Sequence, residues 1–310
     1  MHILTTLTPI DAPTGSAVAL GFFDGVHLGH RAVLRAAVEY AADHGLTPAA
    51  FTFSLPANHP MKGARIFPDR EKHRRVAALG IAEYQEAPFA DFCALSPEDF
   101  VGRVLTGCFA AKAVFCGDNF TFGAKAAGNV DMLKSLCAAR GIAAHVVEMA
   151  SYQGVTVSST RIRAALQACR IEDANAMLGE PYAIDWPVTH GKHMGTSRLG
   201  TPTINQNFPA GALEPGCGVY ITRIRIEGKW YPAATGIGRR PTVDQAGAPI
   251  TCETYVPDFS GDVYGQSPRL EFYKYLCPVR KFDSMQALSA LIRDAARQSR
   301  EYFAARRDNG

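Results

Sequence analysis

The chain has eight cysteines but no C-x-x-C pair among them, so neither a zinc ribbon nor a dithiol redox motif is indicated. Their scattered spacing does not outline a disulfide framework either. No uninterrupted apolar run approaches the length of a membrane span, and the first residues lack the basic-then-apolar order of a secretory leader. A reduced, cytoplasmic setting is expected from these absences. Charge of one sign is also scarce: 32 basic against 29 acidic residues leave a net +3, too little to imply nucleic-acid or membrane-surface binding. Such a balance suits small anionic ligands held by local clusters. What remains is the composition of an ordinary globular protein, 47% apolar and 20% charged, and a length of 310 residues suggests two domains.

The most informative stretch is 16–38, SAVALGFFDGVHLGHRAVLRAAV. Ala17 to Phe23 is an apolar run of strand length, Asp24-Gly25 is a turn pair, and from His30 a helical period begins with Val33, Leu34, Ala37 and Val38. A strand, a glycine turn and a helix together make a phosphate site. The helix start offers unpaired N–H groups and the positive end of its dipole, and Gly25 and Gly29 allow close approach to the backbone. His27 and His30, at the mouth of the turn, can donate hydrogen bonds to one phosphate as its charge grows. An arbitrary H-x-x-H is more often a turn cap beside a packed ring. Between this strand and this helix the functional reading outweighs that one.

At GFFDGVHLGH the sequence resembles the opening motif of the nucleotidylyltransferases. In detail it is similar to the prokaryotic bifunctional riboflavin kinase/FMN adenylyltransferase (FAD synthetase) family, whose motif is G-x-F-D-G-V-H-x-G-H. Further along, Pro48–Phe53 reads as a strand. His59-Pro60 arrives late for the family's Pro-His-Pro segment and reads equally well as a plain loop. Asp69–Leu79 reads as a helix whose Arg70, Lys72, Arg74 and Arg75 form a solvated face. Ser96-Pro97-Glu98-Asp99 reads as the capped start of a helix running through Leu105. After a short strand at Ala113–Phe115 comes Gly117-Asp118-Asn119-Phe120-Thr121-Phe122-Gly123. Here two aromatics and an amide between glycines can hold a flat ring, although such phenylalanines are more often core. The resemblance implies flavin contacts at Asn119, Phe120, Phe122 and Gly123. A helix is expected over Val130–Arg140 and a strand over Ala144–Val147. Ser158-Ser159-Thr160-Arg161-Ile162-Arg163 opens another helix, and an arginine in its first turn opposes the dipole unless an anion binds there. The family's S-S-T-x-I-R motif holds ATP phosphates. The resemblance thus implies ATP contacts at Gly21, Phe22, Asp24, Gly25, His27, Gly29, His30, Ser159, Thr160 and Arg161, with the two segments converging on one triphosphate. Alternation of strands and helices predicts a parallel, Rossmann-like α/β sheet with sites at the carboxyl edge of its strands.

Near Gly179-Glu180-Pro181 the pattern changes, and domains over 1–180 and 181–310 are expected. From Ile184 to Phe282 short alternating runs (218–226, 230–234, 269–275) predict an antiparallel β-barrel, closed by an amphipathic helix over Ser284–Phe303. This half resembles a riboflavin kinase module. Thr203 and Asn205 of Thr201-Pro202-Thr203-Ile204-Asn205 match its P-T-x-N motif, which implies binding of ATP and Mg²⁺. Glu253 matches its general base. Departures occur in the phosphate loop His190–Gly200, which carries one extra residue, at Gly236-Ile237-Gly238, at Tyr255, and at Cys277 and Val279, which replace an arginine and a glutamate. The resemblance implies two transferase steps. Riboflavin would be phosphorylated from Mg·ATP through Glu253. FMN would then be joined to the AMP part of ATP, with His27, His30 and Arg161 stabilising charge, to give FAD and pyrophosphate. A flavin-binding paralogue with a degenerate kinase module is the alternative, and a nucleotidylyltransferase for another substrate is a third. The partners are riboflavin, FMN and ATP, with no nucleic acid and no membrane, and a homo-oligomer is left open.

Overall fold

The computed structural model describes residues 1–56, 63–189, 203–239, 250–279 and 285–307. They fall into two compact units, Met1–Gly63 with Lys72–Ser158, and Ala64–Glu71 with Ser159–Gly310. Thus the segments around His59 and over 190–200, together with residues 280–282, lie outside the described residues.

The first unit is built on a six-stranded, all-parallel sheet of β1 (His2–Leu4), β2 (Ser16–Leu20), β3 (Thr47–Ser54), β4 (Glu83–Pro88), β5 (Ala111–Gly117) and β6 (Ala143–Val147), in the order β1-β4-β3-β2-β5-β6. Four helices belong to it in whole or in part. They are α1 (Leu28–His44), α2 (Asp69–Ala77), α3 (Pro97–Asp99), which runs on as π-wound turns over Phe100–Cys108, and α4 (Val130–Ala138). Strand β2 is buried along its whole length because apolar clusters cover both of its faces. Val18 and Leu20 join Phe51, Val104 and Phe109 on one side, while Ala17 and Ala19 meet Val33, Leu34 and Ala37 of α1 on the other. Two-sided burial is why the strand reads as a continuous apolar run. Helix α1 stops at Gly45, whose φ of 63° closes the turn in the left-handed region. A small hairpin follows β6, formed by β7 (Ser151–Tyr152) and β8 (Val155–Thr156) around Gln153-Gly154, both at positive φ.

Strand β4, Glu-Tyr-Gln-Glu-Ala-Pro, carries no apolar period, yet it is an interior strand. Glu83, Gln85 and Glu86 each have a dedicated partner: Glu83 accepts from His2, Gln85 donates to the Thr8 carbonyl, and Glu86 is bonded by both Lys72 and His73. Burial pushes the Glu86 carboxyl up, but the His73 bond and the Lys72 charge outweigh it and hold the group below its ordinary value. The same contacts correct the expectation of a solvated basic face on α2. Arg70 and Arg74 are exposed as expected, but Lys72 is 9% exposed and Arg75 fully buried; Lys72 turns its stem inward to Glu86.

The second unit opens with α5 (Ser159–Gln167) and α6 (Ile171–Leu178). Its strands are β9 (Tyr182–Ile184), β10 (Val188–Thr189), β11 (Thr203–Asn207), β12 (Gly218–Ile226), β13 (Lys229–Arg239), β14 (Ile250–Tyr255) and β15 (Arg269–Cys277). They form one antiparallel sheet in the order β10-β11-β14-β13-β12-β15-β9, curled into a half-barrel. The terminal helix α7 (Met285–Arg307) packs Ala295 and Ala296 against Ala234 and donates from Ser299 Oγ to the Thr222 carbonyl at 3.1 Å. Inside the sheet a row of fully buried hydroxyls, Thr222, Thr235 and Thr254, links β12, β13 and β14 at 2.8 and 2.9 Å.

A buried charge network joins Glu71 of this unit to the sheet. Arg269 bonds both Glu71 oxygens at 3.0 Å and also reaches Glu271, which accepts from Arg223 at 2.5 Å and from the Tyr273 hydroxyl at 2.7 Å. Glu71 and Glu271 are 1% and 2% exposed, so deleting either carboxylate strands guanidinium charge in a poorly solvated place. Glu271→Ala is expected to destabilise this unit by roughly 3–5 kcal/mol, read as a lower urea midpoint with the m-value unchanged. A loss under about 1 kcal/mol would mean that water reaches the network freely.

Candidate functional site

In the first unit the direction of chain progression across the sheet reverses between β2 and β5. From β2 the chain moves outward to β3, and from β5 it moves the other way to β6. Such a reversal leaves a crevice outside the carboxyl ends of the two strands, because the loops that follow them diverge. The loop after β2 and the first turn of α1 carry His27 and His30, and the loop after β5 carries Asn119 and Phe120. Two of the segments singled out in the sequence are therefore brought to neighbouring strand ends.

The β2 loop is held tightly. Phe23, Gly25 and Val26 take φ values of 52°, 88° and 40°, a left-handed run that leads into α1. Phe23 and Asp24 are buried, and Thr52 of β3 donates to the Phe22 carbonyl at 2.9 Å. Gly21 and Phe22 are half-buried beside it. His27 is itself the N-cap of α1: its Nδ1 accepts from the His30 backbone N–H at 3.3 Å. That bond requires Nδ1 without a proton, so the neutral ring carries its hydrogen on Nε2. The His27 ring is 2% exposed, and burial, opposed only by a backbone hydrogen bond, lowers its pKa to about 4. At neutral pH His27 is a dipolar donor and carries no charge. The His30 ring stacks on it at 3.6 Å between centroids, and Phe23 meets the edge of that pair at 5.4 Å. Helix α1 thus begins at Leu28, two residues before the expected start, because a histidine supplies the cap.

In the β5 loop Asn119 is exposed and Phe120 half-buried, while Phe122 is 5% exposed and packs on Phe100 at 5.4 Å. Phe122 and Gly128 exchange backbone hydrogen bonds of 3.1 and 2.8 Å, and Gly123 sits at φ 75° against Pro97. Asn129, which follows, caps α4 by accepting from Met132 N–H at 2.9 Å. Of the residues expected to touch flavin, Asn119 and the Phe120 ring therefore remain open while Phe122 belongs to the core. The sequence reading missed Met149, just past β6, although an added Cβ at Gly29 or at Gly117 would lie only 2.9 or 2.8 Å from its side chain. No local signal marks it; only the fold does.

In the second unit Ser159, Thr160 and Arg161 form the first turn of α5, and Ile162, Ala165 and Leu166 are its buried face, as the period predicts. Arg163 donates from Nε to the Ala64 carbonyl at 2.8 Å. Thr203 and Asn205 lie on β11, and Glu253 stands directly opposite Asn205 on β14, with Gly236 of β13 across its other edge. Asn205 is 7% exposed and its Nδ2 donates to the Thr203 carbonyl at 3.1 Å, which orients Oδ1 as the acceptor. Tyr255 pairs with Thr203 and Ala234, and Val279 is 51% exposed.

A family model described as FAD synthetase matches residues 10–161, and one described as riboflavin kinase matches residues 178–303. The chain is 31% identical over 295 residues to a bifunctional riboflavin kinase/FMN adenylyltransferase of Listeria monocytogenes, covering 93% of this chain and 92% of that one. It is 32% identical over 296 residues to the Bacillus subtilis protein of the same name, with the same coverage, and 31% identical over 299 residues to that of Escherichia coli K12, with 93% of each covered. The crystal structure of a macrolide-efflux protein from Streptococcus pneumoniae superposes with a TM-score of 0.85 and 25% identity, over 97% of this chain and 99% of that one. Among the described residues here, no helix is long and apolar enough to cross a membrane.

Proposed function

The chain belongs to the bifunctional riboflavin kinase/FMN adenylyltransferase family, and from that premise we propose how its own residues divide the two reactions. It is a transferase of FAD biosynthesis, phosphorylating riboflavin to FMN and adenylylating FMN to FAD. The adenylyltransferase is assigned to residues 1–180 and the kinase to 181–310, in a cytoplasmic protein. The observation that carries the first assignment is the capped, stacked histidine pair at the strand-order reversal, opposite the loop of Asn119. A helix start and two ring N–H donors at such a crevice suit a triphosphate whose α-phosphorus is attacked in line by the FMN phosphate. His27 gives one fixed Nε2–H bond and His30 a second, while Arg161, in the first turn of α5, is assigned a phosphate-binding charge of its own. Gly25 keeps the turn open to the phosphates, while Asn119 and Phe120 receive the flavin.

In the kinase half, Glu253 takes the proton of the riboflavin 5′-hydroxyl as that oxygen attacks the γ-phosphorus. Thr203 and Asn205 offer a hydroxyl and an oriented amide oxygen, hard donors that fit Mg²⁺, an ion that fills its shell with water and phosphate oxygens. Bound there, Mg²⁺ would neutralise phosphate charge. Incubating the protein with riboflavin, ATP and magnesium and separating the flavins tests the whole reading: FMN is expected first, then FAD. Cys277 and Val279 favour a second reading in which the kinase is silent. In that case FAD would form only when FMN is supplied. If no FAD forms from FMN either, both readings fail.

A further inference from the structure

The crevice at the strand-order reversal has a floor that neither the motifs nor the comparisons assign. Met149 leaves the sheet just after β6 and lies between the two functional loops. An ideal Cβ built on Gly117, the last residue of β5, would fall 2.8 Å from Met149 Sδ, and one on Gly29, in the first turn of α1, would fall 2.9 Å from Met149 Cε. A Cβ at either position would therefore push the flexible end of the thioether aside. The Gly29 Cβ position is also 3.3 Å from His27 Cε1, and the Gly117 position 3.5 Å from Asn119 Oδ1. The methionine thus shares the space beside Gly29 with the His27 ring and the space beside Gly117 with the Asn119 amide. It is only half-buried, so part of its surface still faces out of the packed layer. An unbranched, polarisable thioether exposed at a crevice favours contact with a flat aromatic ring.

We propose that Met149 is a substrate-binding residue, the apolar platform on which the ring of one adenylyltransferase substrate rests. The ligand chemistry is a planar heteroaromatic ring carried on a phosphate, as in both ATP and FMN. The inference builds on the adenylyltransferase reading above. Because the platform lies under the ring and away from the reacting phosphorus, it contributes to binding and leaves turnover alone.

The test is steady-state FAD formation by the full chain, varying ATP at saturating FMN and then FMN at saturating ATP. Met149→Ala should raise KM for one of the two by about three- to tenfold with kcat within about twofold of wild type. Whichever KM moves names the ring. Met149→Leu, which keeps apolar volume, should stay within about twofold on both constants. Gly117→Ala, which drives a methyl into the thioether, should raise the same KM, and adding Met149→Ala to it should bring no further increase. Unchanged KM values in a Met149→Ala protein that merely melts earlier would overturn the inference and leave Met149 as packing. A fall in kcat with KM fixed would overturn it too, since the side chain would then act through His27. Absence of FAD from the wild-type protein would instead remove the adenylyltransferase reading itself.

Discussion

Glu253→Gln is expected to lower the rate of FMN formation from riboflavin and ATP by about 10²- to 10⁴-fold, while FAD formation from supplied FMN stays at the wild-type rate. The amide has the size and shape of the carboxylate, so the strand pairings of Glu253 with Asn205 and Gly236 are kept. What is lost is a group able to accept the proton of the attacking hydroxyl. Both arms come from one preparation, separated by chromatography; the FAD arm reports that the adenylyltransferase is intact, and an unchanged urea midpoint reports the same of the kinase unit. A loss below about tenfold in the first arm would show that Glu253 is a pocket residue and that another group, or solvent, takes the proton. Equal losses in both arms would show that the division of labour is wrong.

The position of Glu253 illustrates what the sequence could and could not carry. Its candidacy rested on flanking matches, since a glutamate on a strand is usually just solvent-facing. The register that puts it opposite Asn205 belongs to β11 and β14, whose residues are nearly fifty positions apart. Elements with one strong period were legible: β2 as an apolar run, α1 and α5 as amphipathic helices, and β12 and the first part of β13 as alternating antiparallel strands. Strand β4 was not, because its burial depends on partners supplied by His2, Thr8, Lys72 and His73, and a polar strand with distant partners has no local signature. Helix α2 was half misread for the same reason: Arg70 and Arg74 are exposed, but Lys72 was counted with them before its partner Glu86 was in view. In the β5 loop Phe120 and Phe122 look equivalent in the sequence, yet the second belongs to the core and the first is half-open. Two residues apart, the rings share a side and stack at 6.0 Å, and the Phe122–Gly128 pairing seats the second against Phe100 in the core.

His30→Ala is expected to cut FAD formation by about 10²- to 10³-fold and to leave riboflavin phosphorylation unchanged. This substitution removes one ring donor without touching the cap of α1, because the cap uses the His30 backbone N–H, which alanine retains. His27 is the harder residue to interpret, since its ring both caps the helix and offers Nε2–H. His27→Ala combines a lost cap, worth about 1 kcal/mol, with a lost donor, whereas His27→Asn can still cap and so isolates the second effect. If His30→Ala and His27→Asn each lower kcat for FAD with little change in melting temperature, both rings act on the transition state. If only His27→Ala is impaired, the pair serves to hold the turn. The acid dependence separates the roles further. His27 titrates near 4 in the fold against an ordinary value of 6.5, so the unfolded chain binds the extra proton between those limits. The stability that the neutral ring contributes is therefore complete above pH 6.5 and is lost as the pH falls toward 4. His27→Asn should flatten that part of the stability profile of the first unit. The wild-type FAD rate should show no ionisation of His27 near 6.5, since the ring that binds phosphate is already neutral there and donates through the same nitrogen throughout.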